Sequence, residues 1–185
     1  MALVRRGEPA GSEALYERYA LPILGFATRM LGNRAEAEEI AQEVFVRMID
    51  RAEQYDGRAP VASWLFAIAA NACRDRLRVT RRAGVVPLEA VPEPSASGPS
   101  AEMAVLGAER ARRVRQALPL LSQEQREALI LARYHELPYV EIARTLGITE
   151  GAVKTRIYRA METLKTHFSE GDMSWNATTS PTCPS

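Results

Sequence analysis

The chain has 185 residues, 24 Lys and Arg against 23 Asp and Glu, and 46% hydrophobic residues, enough to bury one full core or two small ones. Its two cysteines, Cys73 and Cys183, and its two histidines, His135 and His167, sit at no metal-ligand or redox spacing, so neither a metal nor a cofactor is expected. No apolar run approaches the ~20 residues of a membrane span and Met1 leads into no secretory pattern, which predicts a reduced, cytoplasmic protein with no membrane insertion.

Taken in order, residues 1–11 are short and mixed, and read as a frayed start. Ser12 is placed to cap a helix running through Leu15, Tyr16 and Tyr19 to about Leu31, with Pro22 imposing a kink or a restart and Gly32 ending it. Asn33 followed by Glu36 has the spacing of a capping box, with Asn in place of Ser or Thr. The helix it opens has an apolar face of Ile40, Ala41, Val44, Phe45, Met48, Ile49 and Ala52, and a polar face of Glu39, Gln42, Glu43, Arg47 and Asp50. The stretch Tyr55 to Pro60 is a loop by its Gly and Pro content. A further helix is predicted from Val61 to Arg82, with Trp64, Leu65, Ile68 and Ala72 inward and Cys73 a small buried hydrophobe.

From Ala83 to about Ser100 four prolines, two glycines and several serines replace any apolar period, which predicts a flexible linker. At about 3.3 Å per residue, roughly 25 to 30 such residues would reach about 80–100 Å fully extended. Helices resume near Ala101, running to Ala117, and at Ser122, whose spacing to Gln125 repeats the capping-box signal. Beyond Phe168 the sequence is polar and aperiodic, predicted disordered, with Cys183 a free thiol. The fold class is therefore all-α: two small helical domains joined by a flexible linker. Their bounds are placed at residues 10–82 and 111–168, with the linker at 83–110 and a tail at 169–185.

The stretch Tyr139 to Leu164 reads as helix, tight turn, helix. Ile142, Ala143 and Leu146 form the apolar face of the first helix, Gly147 supplies a left-handed turn residue, and Thr149 caps the second helix. Val153, Ile157, Ala160 and Leu164 then share one face of that second helix, leaving Lys154, Thr155, Tyr158 and Arg159 on others. A small residue, a glycine and a valine at this spacing suit a DNA-binding helix-turn-helix, whose second helix presents polar side chains to a major groove. An ordinary helical hairpin would share the apolar face, but not the whole spacing.

Charge is segregated along the chain. Between Asn33 and Asp56 three arginines stand against seven acids, whereas between Asn71 and Arg82 five arginines stand against Asp75 alone. This suggests two different partner surfaces. Asn71, Arg74, Arg78 and Arg81 recur along one helical face and could track a phosphate backbone, although arginines are favoured at a helix C-terminus in any case. The acidic face repels DNA, so it meets either water or a protein. Catalysis finds no support, because no serine is preorganised as a nucleophile and no Gly-rich phosphate loop occurs.

These segments resemble a known family. Residues Ala35 to Arg82 are similar to region 2, and Leu118 to Phe168 to region 4, of the extracytoplasmic-function sigma factors of the sigma-70 family. The order of the two, the linker between them and the lack of anything like region 3 fit that class. The resemblance implies that Glu39, Gln42, Glu43 and Phe45 bind core RNA polymerase at its β′ clamp helices, with a β flap contact elsewhere. It implies that Asp56 to Pro60, Asn71, Arg74 and Asp75 read an unpaired minus-ten element, to which the arginine stripe adds Arg78 as a candidate DNA contact. Lys154, Thr155, Arg156, Tyr158 and Arg159 would then read a duplex minus-thirty-five element, and an anti-sigma factor would be the regulatory partner. The chain departs from the pattern at Ala70 and Val79, where relatives are often more basic, and in its tail. The alternative reading is a helix-turn-helix regulator that binds duplex operators as a dimer.

Overall fold

The computed structural model describes residues 1–82 and 116–168, and among them every regular element is helical. The predicted linker at 83–110, most of the helix placed from Ala101 to Ala117, and the tail at 169–185 lie outside the described residues.

The start of the chain differs from expectation. Ala2–Arg5 form a helical turn, α1, with Val4 buried and the Arg5 Nε donating to the Ala52 carbonyl at 3.1 Å. Helix α2 begins at Pro9, not at Ser12, and runs unbroken to Leu31. Proline suits a first helical position because its missing N–H would be unpaired there, and the Ser12 hydroxyl donates back to the Pro9 carbonyl at 2.8 Å. Pro22 causes no restart. Gly32 ends α2 in the left-handed region, φ +71°, where a side chain would be strained.

Helix α3 spans Arg34–Asp50, and the Glu36 backbone N–H donates to Asn33 Oδ1 at 3.2 Å, as the cap spacing predicts. Its inward residues are Ala37, Ile40, Val44, Phe45 and Met48. Ile49, expected inward, is 53% exposed; it lies one position past Met48, which turns it about 100° off the buried stripe. After a 3-10 turn at Ala52–Gln54, the loop that follows is closed by the Tyr55 hydroxyl on the Ala59 carbonyl and by the Arg58 N–H on Asp56 Oδ1. Helix α4 spans Val61–Arg82, as predicted.

The second group of helices opens after a 3-10 turn at Leu118–Leu120. Helix α5, Gln123–Tyr134, starts with a complete capping box between Ser122 and Gln125. Helix α6 spans Tyr139–Leu146 and α7 spans Glu150–His167. Helices α2, α3 and α4 pack on one another, and α5, α6 and α7 do likewise.

The two groups also pack together, α4 against α6 and α2 against α5. One apolar cluster runs through both, from Ile23, Phe26 and Met30 through Leu65 and Phe66 to Leu129, Ile130 and Ile142. Each fully buried side chain of this size contributes roughly 1.5–3 kcal/mol. The linker composition alone gives no hint of this shared core.

Candidate nucleic-acid interface

The helix-turn-helix is built as its spacing predicts. Gly147 sits at φ +66° between α6 and α7, and the Ile148 N–H closes the turn on the Ala143 carbonyl at 3.0 Å. The Ala152 N–H donates to Thr149 Oγ1 at 3.2 Å, so the first turn of α7 is capped by a side chain. Val153, Ala160 and Leu164 anchor α7 in the core. On the outer side Lys154, Thr155, Tyr158 and Arg159 are exposed, Tyr158 to 66%, while Arg156 is half-buried and Ile157 only partly so. These side chains project from the second and third turns of an 18-residue helix, where Lys and Arg can reach an anionic backbone.

On α4 the arginine stripe is not uniform. Asn71 is exposed and accepts from Arg74 NH1 at 2.8 Å. Arg78 pairs with Asp75 at 2.8 Å, both more than half exposed. Arg74 differs: its Nε and NH2 donate to Glu127 Oε1 and Oε2 at 2.8 and 2.7 Å, a bidentate pair to a carboxylate that is 0% exposed. The hydrogen bonds to Glu127 outweigh burial and hold the Arg74 guanidinium more firmly protonated than usual. Arg74, Arg78, Arg81 and Arg82 line a cleft of about 390 Å³ closed on the other side by Gln123. Beside it, bonds from its own backbone N–H and the Ser122 hydroxyl hold the Glu124 carboxyl below the usual carboxylate range, helped by Arg156 and Arg81.

The acidic side of α3 faces outward. Glu39 is 65% exposed at its side chain and pairs with Arg76 of α4 at 3.0 Å. Glu43 pairs with Arg47 one turn on, and Gln42 is exposed. Phe45 is 8% exposed, its ring 4.9 Å from that of Tyr16, so it presents an edge beside exposed Glu39 and Gln42 and half-buried Glu43. Val46, 57% exposed, lies on the same outer side of α3.

Three residues that sequence reasoning left unused bind the two helix groups together. Glu127 is the first. Ser63 is the second: its hydroxyl donates to Glu141 Oε2 at 2.6 Å and its carbonyl accepts from Thr145 Oγ1 at 3.3 Å. His135 is the third, and it is no surface side chain. It does follow the last turn of α5, but its ring packs 4.4 Å from Phe66 and 6.1 Å from Phe26. Burial, then the charge of Arg29, push its pKa down to about 4. An acid every third or fourth position on α5 reads as a solvated face, so only the fold distinguishes Glu127 from Glu124.

Among the described residues no group of three or more His, Cys, Asp or Glu could hold a metal ion, and no helix is long and apolar enough to cross a membrane. Family models for Sigma-70 region 2 and Sigma-70 region 4 match residues 15–83 and 111–164. The chain is 32% identical to the ECF RNA polymerase sigma factor SigW of Bacillus subtilis over 170 residues, 88% of this chain and 91% of that one. It is 33% identical to the RNA polymerase sigma factor CarQ of Myxococcus xanthus, over 89% of this chain and 93% of that one. Two solved structures share the fold. CnrH, in complex with the cytosolic domain of CnrY, superposes with a TM-score of 0.67 at 24% identity, covering 90% of this chain and 92% of that one. The sigma factor RpoE of Bartonella quintana, in complex with the anti-sigma factor NepR, gives 0.69 at 22% identity, covering 83% and 94%. With a capped helix-turn-helix in one half, an arginine-lined helix in the other and relatives matched over nearly their whole length, the chain belongs to the extracytoplasmic-function sigma factors of the sigma-70 family, transcription initiation factors of RNA polymerase.

Proposed function

We propose that the two halves of this sigma factor read two promoter elements while a third surface holds the polymerase. Residues 10–82 form the region 2 unit, 83–110 the linker and 111–168 the region 4 unit, with 169–185 a tail. Lys154, Thr155, Arg156, Tyr158 and Arg159 contact a duplex minus-thirty-five element. The observation that carries this is the open polar side of α7, capped and anchored so that its side chains are presented by a rigid helix. Asn71, Arg74, Asp75 and Arg78, with the loop from Asp56 to Pro60, capture the unpaired minus-ten strand. Unstacking costs a few kcal/mol, offset by base pockets and backbone contacts.

Glu39, Gln42 and Glu43, with the edge of Phe45, dock on the β′ clamp helices of core polymerase, and region 4 on the β flap. An acidic helix face suits a basic coiled coil and not DNA. The protein performs no chemistry of its own and works in the cytoplasm. Two similar folds are recorded in complexes, one with a partner named as an anti-sigma factor, which supports an anti-sigma factor as the regulatory partner here.

In vitro transcription with core polymerase and a candidate promoter tests the reading: initiation must require this protein. Tight operator binding that core polymerase does not alter would favour the dimeric regulator instead. The division of roles has its own test. Arg156→Ala should weaken binding to minus-thirty-five duplex, whereas Asn71→Ala should leave it intact and impair melting. Equal loss of duplex affinity in both variants would overturn the assignment.

A further inference from the structure

We propose that the conformation described is a closed, self-inhibited state, in which Glu127 of region 4 occupies Arg74 of region 2 and so withholds it from the unpaired promoter strand. The proposal rests on the reading of Arg74 as a contact to single-stranded DNA. A guanidinium grips a phosphate and a carboxylate by the same bidentate geometry. In the closed state the Nε and Nη2 edge of the guanidinium is taken by Glu127, and Nη1 donates to Asn71 Oδ1. Glu127 is equally committed, because its Oε1 also accepts from Gln123 Nε2 at 3.2 Å. A phosphate can take the same bidentate grip on Arg74 only by displacing the Glu127 carboxylate from it.

The contact is more than one ion pair. Arg126 NH1 donates to the Met30 carbonyl at 2.7 Å, tying α5 to the end of α2. Ser63 takes Glu141 and Thr145 of α6, and the Arg29 guanidinium lies 3.9 Å over the ring of Tyr134. The apolar cluster continues across the same junction.

Yet the junction is imperfect where a permanent core would not be. Arg126 Nε and His135 Nε2, both contributed by the α5 segment, are buried without a hydrogen-bond partner among the described residues. Such groups regain water when the helices separate. A buried ion pair adds little net stability, since both charges are resolvated on opening, but it enforces one arrangement while closed. The junction therefore combines a specific fit with buried polar groups that opening returns to water. That suits a sigma factor whose two DNA-reading units must part to span a promoter.

Glu127→Gln keeps the shape of the side chain and removes its charge, leaving Arg74 half-buried without a counter-ion. The test uses the full chain carrying Cys183→Ser, with dyes on cysteines placed at exposed Val46 of α3 and Lys165 of α7, Cys73 being buried. Energy transfer reports closure, and anisotropy with a labelled mixed-sequence single-stranded 20-mer reports access to Arg74. In Glu127→Gln, transfer should fall and affinity for the oligonucleotide should rise by about threefold or more, as the competent fraction grows. Ser63→Ala, which removes a separate tie and leaves Glu141 its bond to Arg144, should shift both in the same direction by less. Unchanged transfer in both variants overturns the closed state, and reduced transfer without a gain in affinity overturns the inhibition. The underlying reading is checked separately: Arg74→Gln in the Glu127→Gln background should abolish the gain. If it does not, Arg74 is not the strand contact, whatever the dyes report.

Discussion

His135 offers a quantitative test of the closed junction through pH. Its ring packs against Phe66 and Phe26, and burial, then the charge of Arg29 on α2, push its pKa down to about 4 from the ordinary 6.5. The folded state therefore binds this proton less readily than the unfolded chain does. Stability from the neutral ring is complete above pH 6.5 and is lost as pH falls toward 4. One pKa unit corresponds to 1.36 kcal/mol, so the full effect is about 3 kcal/mol, of which about 1 kcal/mol falls between pH 7.5 and 5.5. Urea unfolding of the wild type and of His135→Leu at both pH values isolates it, because every other titrating group, His167 included, is common to the two proteins. Wild type should lose about 1 kcal/mol more than the variant on going to pH 5.5. Equal losses would refute the account, as would an imidazole NMR titration placing the His135 pKa near 6.5.

Other outcomes follow from single geometries. Gly147→Ala forces a side chain into φ +66° and should cost about 1 kcal/mol in chemical denaturation. Gly151→Ala, which meets nothing closer than Thr149 Oγ1 at 3.9 Å, should be neutral or stabilise by up to about 0.5 kcal/mol. Ser122→Ala breaks the complete capping box of α5 and should cost about 1 kcal/mol in the same assay. Cys73, buried and with its thiol pushed up to about 12 mainly by desolvation, should resist a thiol reagent in native protein and react once the chain is unfolded.

How much of this was legible in the sequence depends on the range of the interaction. Local signals were read well. Gly32, Asn33, Ser122, Gly147 and Thr149 each mark a helix end by chemistry acting within a few residues, and each end is where that chemistry places it. The start of α4 followed from the Gly and Pro content of the loop before it. The start of the chain was missed because α1 is held by a distant acceptor, the Ala52 carbonyl, and Val4 is buried by other helices rather than by its neighbours. Of the candidate DNA residues on α7, Lys154, Thr155, Tyr158 and Arg159 lie on its open side, as its period requires, while Arg156 is half-buried. Those on α4 were placed on one face correctly, but what lies on that face could not be read. Ser63, Glu127 and His135 act across 53 residues of chain or more, only through packing of α5 and α6 on α2 and α4, and a charge on a helix carries no mark of whether another helix will cover it.

That difference divides the arginine stripe of α4 into two classes with different consequences for binding. The Arg78–Asp75 pair lies within one helix and is largely solvated, so exchanging its carboxylate for a phosphate costs little. The Arg74–Glu127 pair joins two helices and excludes water from the carboxylate, so the same exchange requires α5 to leave α4. In the closed-to-open scheme an approaching strand meets Arg78 first, drawn by a screened, long-range attraction. It gains the bidentate grip of Arg74 only after the units part. Early contact is then governed by salt and late contact by opening, so raising ionic strength should slow the encounter of wild type and Glu127→Gln alike. Their difference in final affinity, which reflects the buried carboxylate, should survive it.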